Sequence, residues 1–314
     1  MTEARPVLPT DLLALVSYNG RGYRNQAWTR ERLGADETQN TLGMVLDQCL
    51  AFARGRSAWI SVRRQRLQGL VGARRRGGRQ AWEIDYLIDA TRDQEAVGGL
   101  LDCAIAEVGR AGAEKLFLRL TSDSDLFEVV REAGFVPYRE EVLYTRGPGI
   151  RNQAPAVEVR PVMPSDSYSL FRLYNVCTPE VTRRQEAATF GEWHAAQERR
   201  WLKHGAELVQ ERNGRVAASA RAARLGQGVA VDLLLDASEL DEAPALIEAA
   251  LQAVEPEAGA RVFVLLPAQA EGLARRLEDE GFGARQQFVS LMRRTTRPQS
   301  LPKLLPAIAE TVRA

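Results

Sequence analysis

Apolar residues along the chain recur sometimes every second position and sometimes with the helical period, and each change of period marks an element. The opening "RPVLPTDLLALVSYN" reads as a short strand, a turn at Pro9, then Thr10 or Asp11 capping an apolar-periodic helix. "TLGMVLDQCLAFARG" predicts a second helix closed by Gly55. Three strands follow, "SAWISVRR", "LQGLVGARR" and "AWEIDYLID", separated by polar or Gly-Gly turns. Helical spacing returns in "QEAVGGLLDCAIAEVGRAG", which stops at Gly109 or Gly112. "KLFLRL" is a continuous apolar strand, "SDLFEVVREAGF" a short helix ending at Gly134, and "REEVLYTR" an alternating strand. Strands, helix, strand, helix, strand is an α/β order with a right-handed crossover between parallel strands at its centre.

The order then repeats. "RGPGIRNQAPA" at 146–156 has the Gly, Pro and polar content of a linker. After it come "VEVRPVMPSD", a helix from Tyr168, a helix around "EWHAAQERRWLKHG", then "AELVQER", "VAASARAARL", "VAVDLLLD", "EAPALIEAALQAV", "RVFVLLP", "GLARRLEDEGF" and "QQFVSLMRR". "RPVLPTD" at 5–11 is echoed by "RPVMPSD" at 160–166, 155 residues on, and "EAGF" at 132–135 by "DEGF" at 279–282, 147 residues on. The eight-residue difference between the two offsets falls in the early helices or the hairpin. Two copies of one domain are predicted, over 1–147 and 156–297 with a linker at 148–155; one large α/β domain is the competing reading. "LPKLLPAIAETVRA", in the tail 298–314, reads as a terminal helix that docks through Leu and Ile.

With 314 residues, 45% of them hydrophobic, the chain can bury two ordinary cores. A net charge of +1 gives no general attraction to nucleic acid or membrane, and nucleic acid is not an expected partner. Arginine carries nearly all the positive charge and crowds between Arg54 and Arg79, either as a solvated hairpin face or as a site for an anion. Cys49, Cys103 and Cys177 have no metal-site spacing and are expected as buried small hydrophobes. No signal or spanning segment is read in the chain, so a cytoplasmic protein is expected. His194 and His204 are ten apart with no third ligand nearby, and no metal is expected. Trp193 and Trp201, eight apart, are predicted on one helical face, in a core or between domains. Tyr138 and Tyr144, near the last strand of the first copy, either pack or reach a cleft.

The element order, with "EAGF" closing the last short helix before an antiparallel strand, resembles the GNAT superfamily of N-acetyltransferases. The resemblance implies two tandem GNAT-like α/β domains, each a mixed, mostly antiparallel sheet with a central parallel pair, flanked by helices. Members bind acetyl-CoA where the fourth strand feeds the central helix, through Arg or Gln, two residues, Gly, one residue, then Gly or Ala. At that place the first copy has "RDQEAV", where Arg92 fits and Glu95 and Val97 stand at the two small positions. The second has "ELDEAP", with Glu239, Glu242 and Pro244 at the matching places, a good helix start and a poor phosphate cradle. The family's usual general acid, a Tyr four residues before the closing Gly, is replaced by Val130 and Leu277.

For function, the resemblance implies an acyl-CoA-dependent N-acyltransferase, acetylating a primary amine on a small molecule or peptide, with acetyl-CoA as co-substrate. The better loop puts the chemistry in the N-terminal copy. Pantetheine then runs along Tyr86, Leu87 and Ile88, and the pyrophosphate meets Arg92 and the helix start at Val97, Gly98 and Gly99. Glu83 and Asp85 alternate with Ile84 and Tyr86 and share one face of the strand, and either is a candidate general base, directly or through water. Asp232 repeats Asp85 in the second copy. The bland reading of Glu83 and Asp85 is that they pair with hairpin arginines or simply face solvent. The alternative for the whole chain is a scaffold that has lost its chemistry and binds a ligand or partner, and a homodimer is compatible with either.

Overall fold

The computed structural model of the chain describes residues 4–8, 11, 24–33, 56–63, 66–91, 94–148, 157–226, 228–257 and 259–295. The first copy contributes β1 (Ala4–Pro6), β2 (Arg56–Arg63), β3 (Arg66–Arg75), β4 (Ala81–Asp89), α1 (Gln94–Arg110), β5 (Lys115–Thr121), α2 (Phe127–Glu132) and β6 (Val136–Arg146). The second contributes β7 (Arg160–Pro161), α3 (Ser167–Cys177), α4 (Glu180–Glu186), α5 (Phe190–Ala196), β8 (Ala206–Arg212), β9 (Arg215–Leu225), β10 (Gly228–Leu235), α6 (Ala243–Val254), β11 (Arg261–Pro267), α7 (Glu271–Asp279) and β12 (Gly283–Arg294). The predicted helix at 41–55 with Cys49, and the tail 298–314, lie outside the described residues. "EWHAAQERRWLKHG" is not one helix. Gln197 turns extended after α5, and Trp193 and Trp201 end in separate apolar clusters.

All these strands form one sheet, in the order β1-β2-β3-β4-β5-β12-β6-β11-β10-β9-β8-β7. Two parallel pairs, β4 with β5 and β10 with β11, sit symmetrically about its centre and every other pairing is antiparallel. The closing strands are exchanged: β12 pairs with β5, and β6 pairs with β11. The cores obey that exchange. Leu291 of β12 packs in the first copy's core with Leu100, Leu101 and Leu116, and Tyr144 of β6 packs in the second copy's core with Leu246 and Val264. Each half of the sheet is therefore completed by a strand from the other copy.

Both sequence echoes are structural devices. Arg5 donates to both oxygens of Asp11 at 2.7 Å, and Asp11 also accepts from the Leu8 N–H at 2.8 Å. Arg160, Asp166 and Met163 repeat the arrangement at 2.7–2.9 Å. The forked pair closes the turn after the strand, and in the second copy that turn leads into α3. In the "GF" echo, Gly134 and Gly281 adopt φ of 81° and 79° just past α2 and α7. Phe135 and Phe282 then donate back to Val130 and Leu277, at 3.2 and 2.9 Å. This is the Schellman ending, which pairs an apolar residue after the glycine with one in the last turn. Val130 and Leu277, both fully buried, are those last-turn partners.

Candidate functional site

A parallel pair whose strands diverge leaves backbone groups without partners, and these must find other acceptors and donors. β4 and β5 pair only from Ala81/Lys115 to Glu83/Phe117, and β10 and β11 only from Gly228/Arg261 to Val231/Val264. Beyond those points each pair opens into a slot.

In the first half the slot is filled by the chain itself. Residues 25–28 run between the parted strands. The Gln26 N–H donates to the Leu87 carbonyl at 2.8 Å, and the Trp28 N–H to the Arg119 carbonyl at 2.9 Å. The Asn25 side chain donates to the Asp85 carbonyl at 2.8 Å and accepts from the Leu87 N–H at 2.9 Å and the Ala27 N–H at 3.0 Å. Asn25, Ala27 and Trp28 are buried. Trp28 passes through to the core between the halves, against Phe288, Leu143, Phe263 and Leu265. The next turn, Arg30–Arg32, carries Arg30 to within 2.8 Å of Asp232 in the second half.

In the second half the slot opens into a cavity of about 440 Å³. Its walls are Leu233–Leu235 of β10 and Leu265–Pro267 of β11, with Tyr174, Cys177 and Trp193 from α3 and α5 closing one side. Its floor is ionic and comes from both copies: Arg30, Arg76, Arg139 and Glu141 from the first, Glu198, Arg221 and Asp232 from the second. Arg119 joins Glu141 and Glu198 at 2.8 and 2.9 Å, Arg221 pairs with Asp232, and Ser290 donates to Glu141 at 2.6 Å. Burial alone would raise the carboxyls of Asp232, Glu141 and Glu198, but the adjoining guanidiniums outweigh it and hold all three below the ordinary carboxylate range. The Tyr174 hydroxyl donates to Glu186 at 3.0 Å, and burial with that carboxylate raises it far above the phenol range. Burial pushes the Cys177 thiol up to about 12, and its S–H points at the Leu235 carbonyl at 2.8 Å.

The residues singled out from sequence lie mostly on the filled side. Glu83 and Asp85 share a face of β4, as alternation requires. Arg74 Nε stands 2.6 Å from Glu83 and 3.6 Å from Asp85. Arg76 lies 3.2 Å from Glu83, and Arg56 lies 2.7 Å from Asp85. The inward arginines of the hairpin thus pair with these carboxylates, while Arg63, Arg66, Arg75 and Arg79 remain exposed. Tyr86, Leu87 and Ile88 are buried, and Leu87 offers both its N–H and its carbonyl to the filling segment. Arg92 lies outside the described residues; beyond it Val97 is fully buried, Gly98 is half-buried and Gly99 exposed. Tyr144 packs in the second core, and Tyr138 stacks edge-on to Phe117. Among the described residues no group of three or more His, Cys, Asp or Glu gathers as a metal site, and no helix is long and apolar enough to cross a membrane.

At the start of α6 the acidic loop is neutralised from outside. Arg212 stands 2.8 Å from Glu239 and 2.6 Å from Glu242, and Arg276 pairs with Asp241. Arg275 and Arg276 flank a second cavity, of about 410 Å³, beside Ala237 and Ser238. Ala237 lines both cavities, so the two adjoin.

Three solved structures share this architecture. A GCN5-related N-acetyltransferase from Sphaerobacter thermophilus aligns at a TM-score of 0.55 with 13% identity, over 93% of this chain and 95% of that one. A tandem GNAT protein from the clavulanic acid biosynthesis pathway aligns at 0.54 with 12% identity, over 94% and 98%. A putative acetyltransferase from Pyrococcus horikoshii aligns at 0.52 with 12% identity, over 94% and 90%. No protein-family model and no curated protein matches the sequence.

Proposed function

Since the chain has the tandem GNAT fold, we propose that it is an acyl-CoA-dependent N-acyltransferase and that its chemistry runs in the second half. The observation that carries this reading is the contrast between the two slots. Pantetheine needs the backbone of a parted strand. In the first half Asn25 and Gln26 hold that backbone, and acyl-CoA does not fit there. The second slot is open along Leu233–Leu235 and leads to a cavity lined by Arg275, Arg276, Asp241 and Asp279, where a pyrophosphate would take Arg275 and Arg276 over from Glu271 and Asp241. When bound, the thioester supplies the activated acyl group.

The residues of this chain then have distinct tasks. The apolar walls exclude water from the thioester, and the ionic floor receives the amine. Tyr174 gives its hydroxyl hydrogen to Glu186 and is raised far above the phenol range, which makes it too weak an acid for the departing thiolate, so the thiolate takes its proton from water. The lowered carboxylates of the floor are poor bases, so the amine loses its proton to water. Turnover should accordingly rise with pH toward the amine's own pKa. A plateau reached near pH 6 would instead require a raised side-chain base.

The test is a thermal-melt titration with acetyl-CoA and CoA on the wild-type chain, Ala237→Trp and Arg92→Ala. Ligand at 100 times its dissociation constant adds about 2.7 kcal/mol, a shift of several degrees. Ala237→Trp places an indole at the exposed mouth of the second slot and should remove the shift, whereas Arg92→Ala should keep it. The reverse pattern would return the donor to the first half. No shift at millimolar CoA for any of them would leave the scaffold reading.

A further inference from the structure

The exchanged strand β6 brings two charged side chains of the first copy into the second copy's cavity. Arg139 and Glu141 are two apart on a regular stretch of that strand and so project from one face. Neither is fully engaged. Arg139 pairs through Nη2 with Glu186, and among the described residues its Nε and Nη1 meet no acceptor. Glu141 Oε2 accepts from Arg119 and Ser290, at 2.8 and 2.6 Å, while Oε1 meets no donor among the described residues. Unused hydrogen-bonding capacity on a guanidinium and on a carboxylate thus lies on one face of the strand and lines the cavity, from backbone positions about 7 Å apart.

We infer that the acceptor is a primary amine that also carries a carboxylate a few bonds away, as a free amino acid does. Its carboxylate lies on the open edge of Arg139, and its amino group is held by Glu141. The open fork matches a carboxylate in two parallel hydrogen bonds. A plain amine displaces water from that edge without replacing its hydrogen bonds, and binds about 10–100-fold more weakly for it. Both recognition residues come from the first copy and the slot from the second, so the acceptor site is incomplete without the half whose own slot is filled.

The inference rests on the acyltransfer reading for the fate of the bound amine, but binding itself is measured without acyl-CoA, so the two fail separately. The full-length chain is screened by thermal melt against the twenty free amino acids. Each that raises the melting temperature is titrated by calorimetry beside its decarboxylated amine, tyrosine against tyramine or lysine against cadaverine. At least one acid should bind about tenfold or more tighter than its amine, and Arg139→Ala should erase that preference. Arg139→Lys keeps the charge beside Glu186 without the fork and should retain only part of it. That variant carries the test if the alanine form does not fold. Binding by none of the twenty, amines that bind as tightly as their acids, or a full preference surviving in the folded variants would each overturn the proposal.

Discussion

The two slots are the same piece of topology with opposite contents. In both, a parallel pair parts after a short register. In the first half the peptide of Asn25–Trp28 answers the freed backbone groups, and in the second those groups border a cavity. Filling a slot with its own chain turns a binding site into a structural joint. Here the joint is also a lever, because the turn after Trp28 places Arg30 on Asp232 across the boundary. One copy thereby stabilises and furnishes the other.

The largest expected effect comes from that joint. Trp28 is 7% exposed and packs 5.2 Å from Phe288 between the halves, so Trp28→Ala should cost about 3–5 kcal/mol in urea unfolding. Asn25→Ala strips three buried hydrogen bonds and should cost about 2–3 kcal/mol. Leu234→Ala, on the half-buried wall of the open slot, should cost about 1 kcal/mol yet weaken the acetyl-CoA shift. If Trp28→Ala unfolds at the wild-type midpoint, the segment is a loose insert, and the first slot becomes available to a ligand.

Much of this was legible in the chain, and what was not has a physical reason. β4, β8 and β11 occupy their predicted bounds because alternation or a continuous apolar run fixes a strand locally. The paired "RPV" and "GF" echoes gave the duplication. The exchange of β6 and β12 left no local signature, since either register presents the same alternating faces to either neighbour. The filling segment was hidden for a related reason. "NQAWT" has no period of its own, and it is ordered by β4 and β5, some sixty and ninety residues further along. One signal was available: the eight-residue mismatch between the offsets pointed to the early helices or the hairpin, and the filling segment lies in that stretch. Placing the candidate site in the first copy came from Arg92 and a loop motif, and a loop motif carries no information on whether the slot beside it is already full.

A smaller effect tests whether the ionic floor joins the halves. Asp232, Glu141 and Glu198 have folded values lowered by Arg30 and Arg221, by Arg119 and Arg139, and by Arg119 and Arg76, against burial that would raise them. The unfolded chain therefore takes up their protons first as the pH falls. Stability from these groups is level above about pH 5 and declines below about pH 4, by up to about 1.4 kcal/mol per pH unit for each proton. Glu83, which burial pushes up against Arg74 and Arg76, contributes with the opposite sign and blunts the decline. Urea midpoints measured from pH 7 to pH 3 check this, and a midpoint unchanged at pH 3 would mean that the floor does not hold the halves together.

The smallest effect asks whether the repeated opening does the same work in both copies. Asp11 and Asp166 are each lowered by the forked arginine, with burial opposing and a backbone N–H at Leu8 or Met163 helping. Arg5 and Arg160 are partly exposed, so solvent screens both pairs and each matters less than the filled slot. Asp11→Asn and Asp166→Asn should lower the melting temperature by similar small amounts, each well below the loss in Asn25→Ala. Asp166 lies in the half that carries the open slot, so Asp166→Asn should also reduce the acetyl-CoA shift slightly, and Asp11→Asn should leave it intact. Equal loss of the shift in both variants would show that the first copy's opening, like its exchanged strand, reaches the second copy's slot.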